Sequence, residues 1–308
     1  MPPFHCVGMN TTRHAPDQPT TAVQARARQV SSRNDNPDLR PLVTFVAAAL
    51  PVGWVLLGLP LFVDVPIEPF VLGTLFLGLV TPAVLLTRRD PGSSVRQLLR
   101  DTIRPPRPLW LLVPAATVIP VATYATGAAL GRSADLDTGF VLNLALANVL
   151  SSILIVNLWE EMAWAGFVQR RLSARWGFLG GALATALLFT GIHLPLSLYD
   201  ADGVGDVAYN ILVMVASGVG MRLLIGAFDT WGHRSILVLG IIHATFNASS
   251  ELVDPGSDWI RYLVTLTLGL LAWTLWHLTS RGRAAPSDTG TTADPGADAS
   301  SALARATR

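Results

Sequence analysis

An all-α polytopic membrane bundle, with about eight transmembrane helices and one short interfacial helix, is the fold class this chain predicts from three observations. Of its 308 residues 51% are hydrophobic and only 14% are charged, with a mean hydropathy of +0.45. That is too apolar for a soluble domain of ordinary surface chemistry. Eight apolar segments are long enough, or nearly so, to cross about 30 Å of hydrocarbon at about 1.5 Å per residue. The connections between them alternate between arginine-rich and acid-rich.

In chain order the expected spans are 41–63, 67–87, 108–130, 138–160, 177–196, 207–228, 235–250 and 259–279, the seventh being short. Arginines gather in the N-terminal tail, in the 88–107 connection (six), in the 161–176 stretch (Arg170, Arg171, Arg175) and at the exit (Arg281, Arg283). The intervening connections carry mainly acids: Asp64 and Glu68, then Asp135 and Asp137, then Asp200, Asp202 and Asp206, then Glu251, Asp254 and Asp258. The positive-inside rule then puts both termini in the cytoplasm. Between the second and third spans, DPGSSVRQLLRDTIRPP has the pattern of a short interfacial helix. Val95, Leu98, Leu99 and Ile103 fall on one side and arginines on the other.

Residues 1–40 and 281–308 lack apolar periodicity and are expected to be disordered cytoplasmic tails flanking a transmembrane domain over 41–280. The start is not expected to act as a secretory signal, because the first apolar run begins only after residue 41 and continues for a full bilayer thickness. Met9 is an alternative start. All 22 basic residues are arginine, a compositional bias, and the single Cys6 excludes an internal disulfide and a thiolate metal site. No internal repeat is evident, and nothing suggests a nucleic-acid partner.

Polar residues inside the apolar runs point to a site. Ionisable side chains at membrane depth are costly unless they face a cavity and find partners. Three clusters stand out: Glu160-Glu161, Phe189 with His193, and His243 with Asn247. Four-residue spacing puts Phe189 and His193 on one helix face, and His243 and Asn247 on another. Adjacent glutamates differ by about 100° of rotation on a helix, so they serve different purposes. One is expected to face the cavity and hold water while the other braces the bundle. A Glu/His pair in a low-dielectric pocket can take a proton from water near neutral pH. An Asn amide beside a second His supplies donors for the negative oxygen that forms when water attacks a peptide carbonyl.

Each residue also has a plainer reading. The glutamates could end a helix just before Arg170-Arg171, although about 15 Å separates them from those arginines. His193, before Pro195, could sit at the outer interface, because on an uninterrupted helix it lies about 27 Å from Arg175. That depth disagrees with the glutamates unless a turn at Trp176-Gly177, a tilted fifth helix or a break around Gly191 reduces the mismatch. His243 could be a hydrogen-bonded core histidine, Asn247 interhelical glue, and Phe189 ordinary packing. His5, His14, His233 and His277 lie in tails or near helix ends and receive no role.

The three motifs in this order resemble those of the CPBP family of intramembrane proteases, also called Abi or CAAX-protease-like. Its pattern is Glu-Glu-x-x-x-Arg, Phe-x-x-x-His and His-x-x-x-Asn or Asp on successive membrane helices. The resemblance covers roughly residues 145–250, including Trp164, Gly166 and the GAFDTWGHRSILVLGIIHATFN run. It implies an intramembrane endopeptidase acting on a membrane-associated protein or peptide near the bilayer surface, with Glu160, Glu161, His193, His243 and Asn247 as site residues. The division it suggests has Glu160 and His193 deprotonating water, His243 and Asn247 holding the oxyanion, and Glu161 orienting its helix. The family is also labelled metalloprotease. If Zn2+ is used, Glu160, His193 and His243 are the ligand set to expect, although no His-Glu-x-x-His helix is present. The metal-free route is preferred, with Zn2+ as the alternative cofactor.

One position departs from the pattern: Ala165 stands where the family has Arg. Arg222, in the run VMVASGVGMRLLIGAF, could substitute for it, although a lone arginine near a helix end ordinarily snorkels to the interface. Because of Ala165, a non-catalytic immunity or scaffold protein of the same fold is the alternative. A proton-coupled transporter ranks third, since no repeat symmetry is evident. The expected location is a bacterial cell membrane, with multiple passes. A bacterial host argues against prenylated substrates, and the sequence leaves substrate and oligomeric state open.

Overall fold

A computed structural model of the chain describes residues 38–281 apart from Asp64 and Asp200. The expectations for the tails, and for Cys6, Met9, His5 and His14, lie outside the described residues. Within them the chain is helical, with no strand beyond an isolated bridge between Ser133 and Val253.

We number the helices α1 (Arg40–Leu61), α2 (Glu68–Arg89), α3 (Val95–Ile103), α4 (Leu109–Ala129), α5 (138–176), α6 (178–198), α7 (Val204–Trp231), α8 (Ile236–Leu252) and α9 (Trp259–Arg281). Among the described residues, six apolar helical stretches are long enough to cross a membrane, and one of them, Thr138–Leu198, runs for 61 residues. That stretch is two helices: Gly177 adopts φ 72°, ψ 178°, a left-handed backbone that glycine tolerates and other residues resist. With the shorter α8, the architecture is the polytopic helical bundle expected from the sequence, and each expected apolar span lies on a helix.

The α5–α6 hairpin corrects two expectations. The 161–176 stretch is not a connection: α5 continues through it, and every residue from Met162 to Gln169 is buried. A helix apolar on all sides belongs at the centre of a bundle. Small residues let neighbours approach it, as at Gly166, where an added Cβ would meet Ile236 of α8 and Leu98 of α3. The depth mismatch between the glutamates and His193 also disappears. Gly181 packs on Ser173 and Phe189 on Trp164, pairs arranged symmetrically about Gly177. Glu160 and His193 therefore lie about equally far, some 25 Å, along the two arms.

Ion pairs take up Arg170 and Arg171 near the hairpin end. Arg170 Nη1 donates to Asp101 of α3 at 2.9 Å, and its Nη2 and Nε donate to Asp229 of α7 at 2.7 and 3.1 Å. Arg171 Nη2 donates to Asp90 at 2.9 Å. The Ser93 hydroxyl, and then Arg171, hold the Asp90 carboxyl below its ordinary value. These contacts revise α3. Ser94 caps it by accepting from Gln97 N–H, but the face that packs on the bundle is Leu98, Asp101 and Thr102, while Leu99 and Ile103 point away. The face that presents Asp101 to Arg170 lies about a quarter of a turn from the purely apolar one.

α7 and α9 cross at glycine. An added Cβ at Gly220 would collide with the backbone of Thr265 and Leu266, and one at Gly269 with the backbone of Gly220. This close approach is the small-residue contact of membrane helices. It predicts that Gly220→Val lowers stability by about 3 kcal/mol, the upper part of the overpacking range, because backbone cannot move aside as a side chain can. Thermal unfolding in detergent measures it, and a wild-type midpoint would refute the crossing.

Candidate active site

Four helices converge on one buried polar cluster. α5 supplies Glu160 and Glu161, α6 supplies Phe189 and His193, α7 supplies Arg222, and α8 supplies His243 and Asn247. Glu161 and Arg222 have fully buried side chains. Arg222 Nη1 donates to Glu161 Oε2 at 2.8 Å and Nη2 to Oε1 at 2.7 Å, a bidentate fork. His243 Nδ1 lies 2.8 Å from Glu161 Oε1. A carboxylate so paired can only accept, so Nδ1 carries the proton and Nε2 is left for other partners.

Arg222 therefore does not snorkel. Its guanidinium reaches Glu161 from α7, as the substitution for the missing Arg at position 165 required. The pairing runs between helices, and Ala165 is buried in the same core cluster as Met221, Leu224 and Ile225. Gln169, the last buried residue of that stretch, fixes the α7 backbone by donating from Nε2 to the Arg222 carbonyl at 2.8 Å.

Glu160 occupies a different environment. Its Oε1 lies 3.6 Å from His193 Nε2 and its Oε2 lies 3.8 Å from His243 Nδ1. Both separations are too long for direct hydrogen bonds, and because His243 Nδ1 is committed to Glu161, only the Glu160–His193 side is open to a water touching both groups. The His193 ring is oriented by its other nitrogen, Nδ1, which donates to the Phe189 carbonyl at 2.7 Å. In the neutral ring this makes Nε2, on the Glu160 side, an acceptor. The glutamates are buried, not a solvated helix end.

Phe189 is more than ordinary packing. Arg222 Cζ sits 4.5 Å from its ring centroid, and the ring contacts those of Trp164, His193 and His243. The negative ring face offers the buried guanidinium attraction beyond its carboxylate, and the same ring spaces the two imidazoles. The Phe-x-x-x-His spacing could have signalled this, because it places ring and imidazole on one face.

A cavity of about 830 Å³ opens onto this cluster, with Glu160, Phe189, His193, His243 and Asn247 in its wall. Asn247 is the outlying member: it is exposed, and among the described residues its side chain makes no hydrogen bond. Sequence reasoning missed Asn157 and Gln169, both buried amides on α5 whose only signal was an amide inside an apolar run. The Asn157 amide finds no hydrogen-bond partner among the described residues.

The residues do not fit the zinc set considered above. Among the described residues no three His, Cys, Asp or Glu side chains are grouped to hold a metal ion. The His243 nitrogen nearest Glu160 is Nδ1, the one whose proton goes to Glu161, so that nitrogen cannot also be a metal ligand. His233 and His277 lie away from the cluster, and the His233 carbonyl accepts from Arg104.

Comparison with known proteins places this segment. Residues 142–249 match the family described as Rce1-like, type II CAAX prenyl endopeptidase Rce1-like, and this agrees with the CPBP/CAAX-protease resemblance carried by the three motifs. The matched segment begins within α5, ends in α8 and contains every member of the cluster. No curated protein matches the chain.

The buried fork makes a quantitative prediction. Arg222→Met strands the Glu161 carboxylate and lowers stability by about 3–5 kcal/mol, whereas adding Glu161→Gln to it restores part of the loss. Unfolding midpoints of both single variants and the double variant measure the coupling. Additive losses would mean that the two side chains do not interact.

Proposed function

We propose that this chain, through the Rce1-like segment at 142–249, is an intramembrane endopeptidase that hydrolyses a peptide bond of a membrane-associated protein or peptide. The observation that carries this reading is the inequality of the two adjacent glutamates. Glu161 has both oxygens committed to Arg222 and His243, while Glu160 faces a cavity between two imidazoles without a direct hydrogen bond.

In this reading a water held between Glu160 Oε1 and His193 Nε2 attacks the substrate carbonyl. Its proton passes to Glu160, with His193 orienting the lone pair. The tetrahedral oxyanion is met by the Asn247 amide and by His243, which must be in its imidazolium form to donate, with Nδ1–H on Glu161 and Nε2–H in the cavity. Protonated Glu160 then returns its proton to the leaving amine, so the C–N bond breaks and the carboxylate is regenerated. Glu161 touches no reacting atom here. It is a positioning residue that sets the His243 ring, and Arg222 keeps it charged and fixed. Every step runs on this chain's own side chains, and none needs the Zn2+ set of Glu160, His193 and His243.

The charge of the connections supports an integral membrane protein with both ends of the bundle in the cytoplasm, so the partners are the bilayer and a membrane-associated substrate. The non-catalytic scaffold reading drew its support from Ala165, and the Arg222 pairing removes that support.

Glu160→Gln separates the two readings. The protein should keep its unfolding midpoint and lose cleavage by about 10²–10⁴-fold, while Asn247→Ala should lower turnover by about 10²–10³-fold. Comparing peptide termini in membranes carrying wild-type or Glu160→Gln protein provides the readout. Identical termini in the two membranes would leave the scaffold standing.

A further inference from the structure

Among the described residues, the lining of the cavity that reaches Glu160 runs out to one end of the bundle, and that end can be identified. At depth its wall is Glu160, His193 and His243. Towards the mouth it is Tyr199, in the connection leaving α6, then Gly256 and Asp258 before α9, and Arg261 in the first turn of α9. No residue of the opposite connections, 90–94, 104–108 and 232–235, or of the Gly177 turn, lines it. A second cavity at that opposite end, walled by Asp101, Gln169, Arg170 and Asp229, shares no lining residue with the first. Between the two lie the Glu161–Arg222 fork, buried Trp164, and the Gln169 side chain bonded to the Arg222 carbonyl.

The closed end is the arginine-rich one. It carries the six arginines of the 88–107 connection together with Arg170, Arg171, Arg175 and Arg234. The open end carries mainly acids, with two arginines among the described residues. Of these, Arg261 is paired to Asp258 through Nε at 2.9 Å, and Arg132 donates to Ser257 Oγ at 3.3 Å. Short connections rich in arginine stay in the cytoplasm. The mouth therefore lies on the extracytoplasmic side, and the side walls approaching it are apolar: Leu57 of α1, Val71 and Leu75 of α2, and Met214 of α7.

We infer that the substrate enters from the outer face, as an apolar segment of an exported or membrane-anchored polypeptide lying at the outer leaflet. A cytoplasmic C-terminus has no path to Glu160 through the closed end. This rests on the endopeptidase reading for the word substrate, but the sidedness of the cavity is a separate physical claim and is tested separately.

The test uses the full chain in a bacterial inner membrane, with Cys6→Ser to remove the only cysteine. Single cysteines are placed at the open end (Val204→Cys, Glu251→Cys), at the closed end (Arg96→Cys) and inside the cavity (Met214→Cys). Intact spheroplasts are treated with a small, charged, membrane-impermeant thiol reagent, then lysed and treated again. Val204→Cys, Glu251→Cys and Met214→Cys should react before lysis, and Arg96→Cys only after it. The two open-end positions guard against one variant failing to fold. If Arg96→Cys reacts in intact spheroplasts and the open-end cysteines only after lysis, the orientation is reversed and the inference fails. If the open end reacts from outside but Met214→Cys does not, the cavity is not open to that side and the inference also fails. Because labelling needs no turnover, it should persist in the Glu160→Gln background. Loss of sidedness overturns this inference alone, and absence of Glu160-dependent cleavage overturns the endopeptidase reading alone.

Discussion

A carboxylate with no exposure, placed inside a bundle of apolar helices, has to be neutralised by something equally buried, and in this protein that constraint joins three helices. Glu161 on α5 binds Arg222 on α7 through two hydrogen bonds and His243 on α8 through a third. Breaking such a pair leaves an unpaired charge in a low-dielectric interior, so the helices that carry the partners hold a fixed register. That register fixes the His243 ring, and through Phe189, which lies under the Arg222 guanidinium and against both imidazoles, it also fixes the place of His193. The neighbouring glutamate is left to face the cavity. Two adjacent, chemically identical side chains thus acquire opposite duties from about 100° of helical rotation.

The surrounding fold serves this arrangement. Small residues on α5 and α7 bring neighbouring helices close enough for short side chains to meet. At the arginine-rich end, Arg170 ties α3 and α7 to α5 through Asp101 and Asp229. This closes one end of the bundle beneath the buried fork and leaves the cavity open at the other.

Much of this was legible in the sequence because membranes restrict the options. Apolar runs of bilayer length must be helices, since lipid satisfies no backbone hydrogen bond, so the spans and their order followed. The glutamates and histidines stood out because polar groups at that depth are rare. What escaped was whatever depends on packing between distant segments. The 161–176 stretch looked like a connection because its arginines matched interfacial ones, and nothing local revealed that Asp101 and Asp229 would pair with Arg170. The depth of His193 was misjudged because the break at Gly177 was not given its full effect as a hairpin. Arg222 was a candidate partner for Glu161, yet an arginine near a helix end snorkels by default, and only the α5–α7 contact decides between the two. The apolar face of α3 was placed by periodicity alone, which cannot foresee that a buried aspartate turns the helix.

The central claim, that Arg222 and Glu161 form a bidentate pair inside the bundle, can be measured without turnover. Solid-state NMR dipolar recoupling on labelled protein in lipid bilayers reads the distance between the Arg222 guanidinium carbon and the Glu161 carboxylate carbon. The account predicts about 4 Å, as two parallel hydrogen bonds require. An Arg222 guanidinium with no carboxylate carbon in range, and in exchange with bulk water, would contradict it.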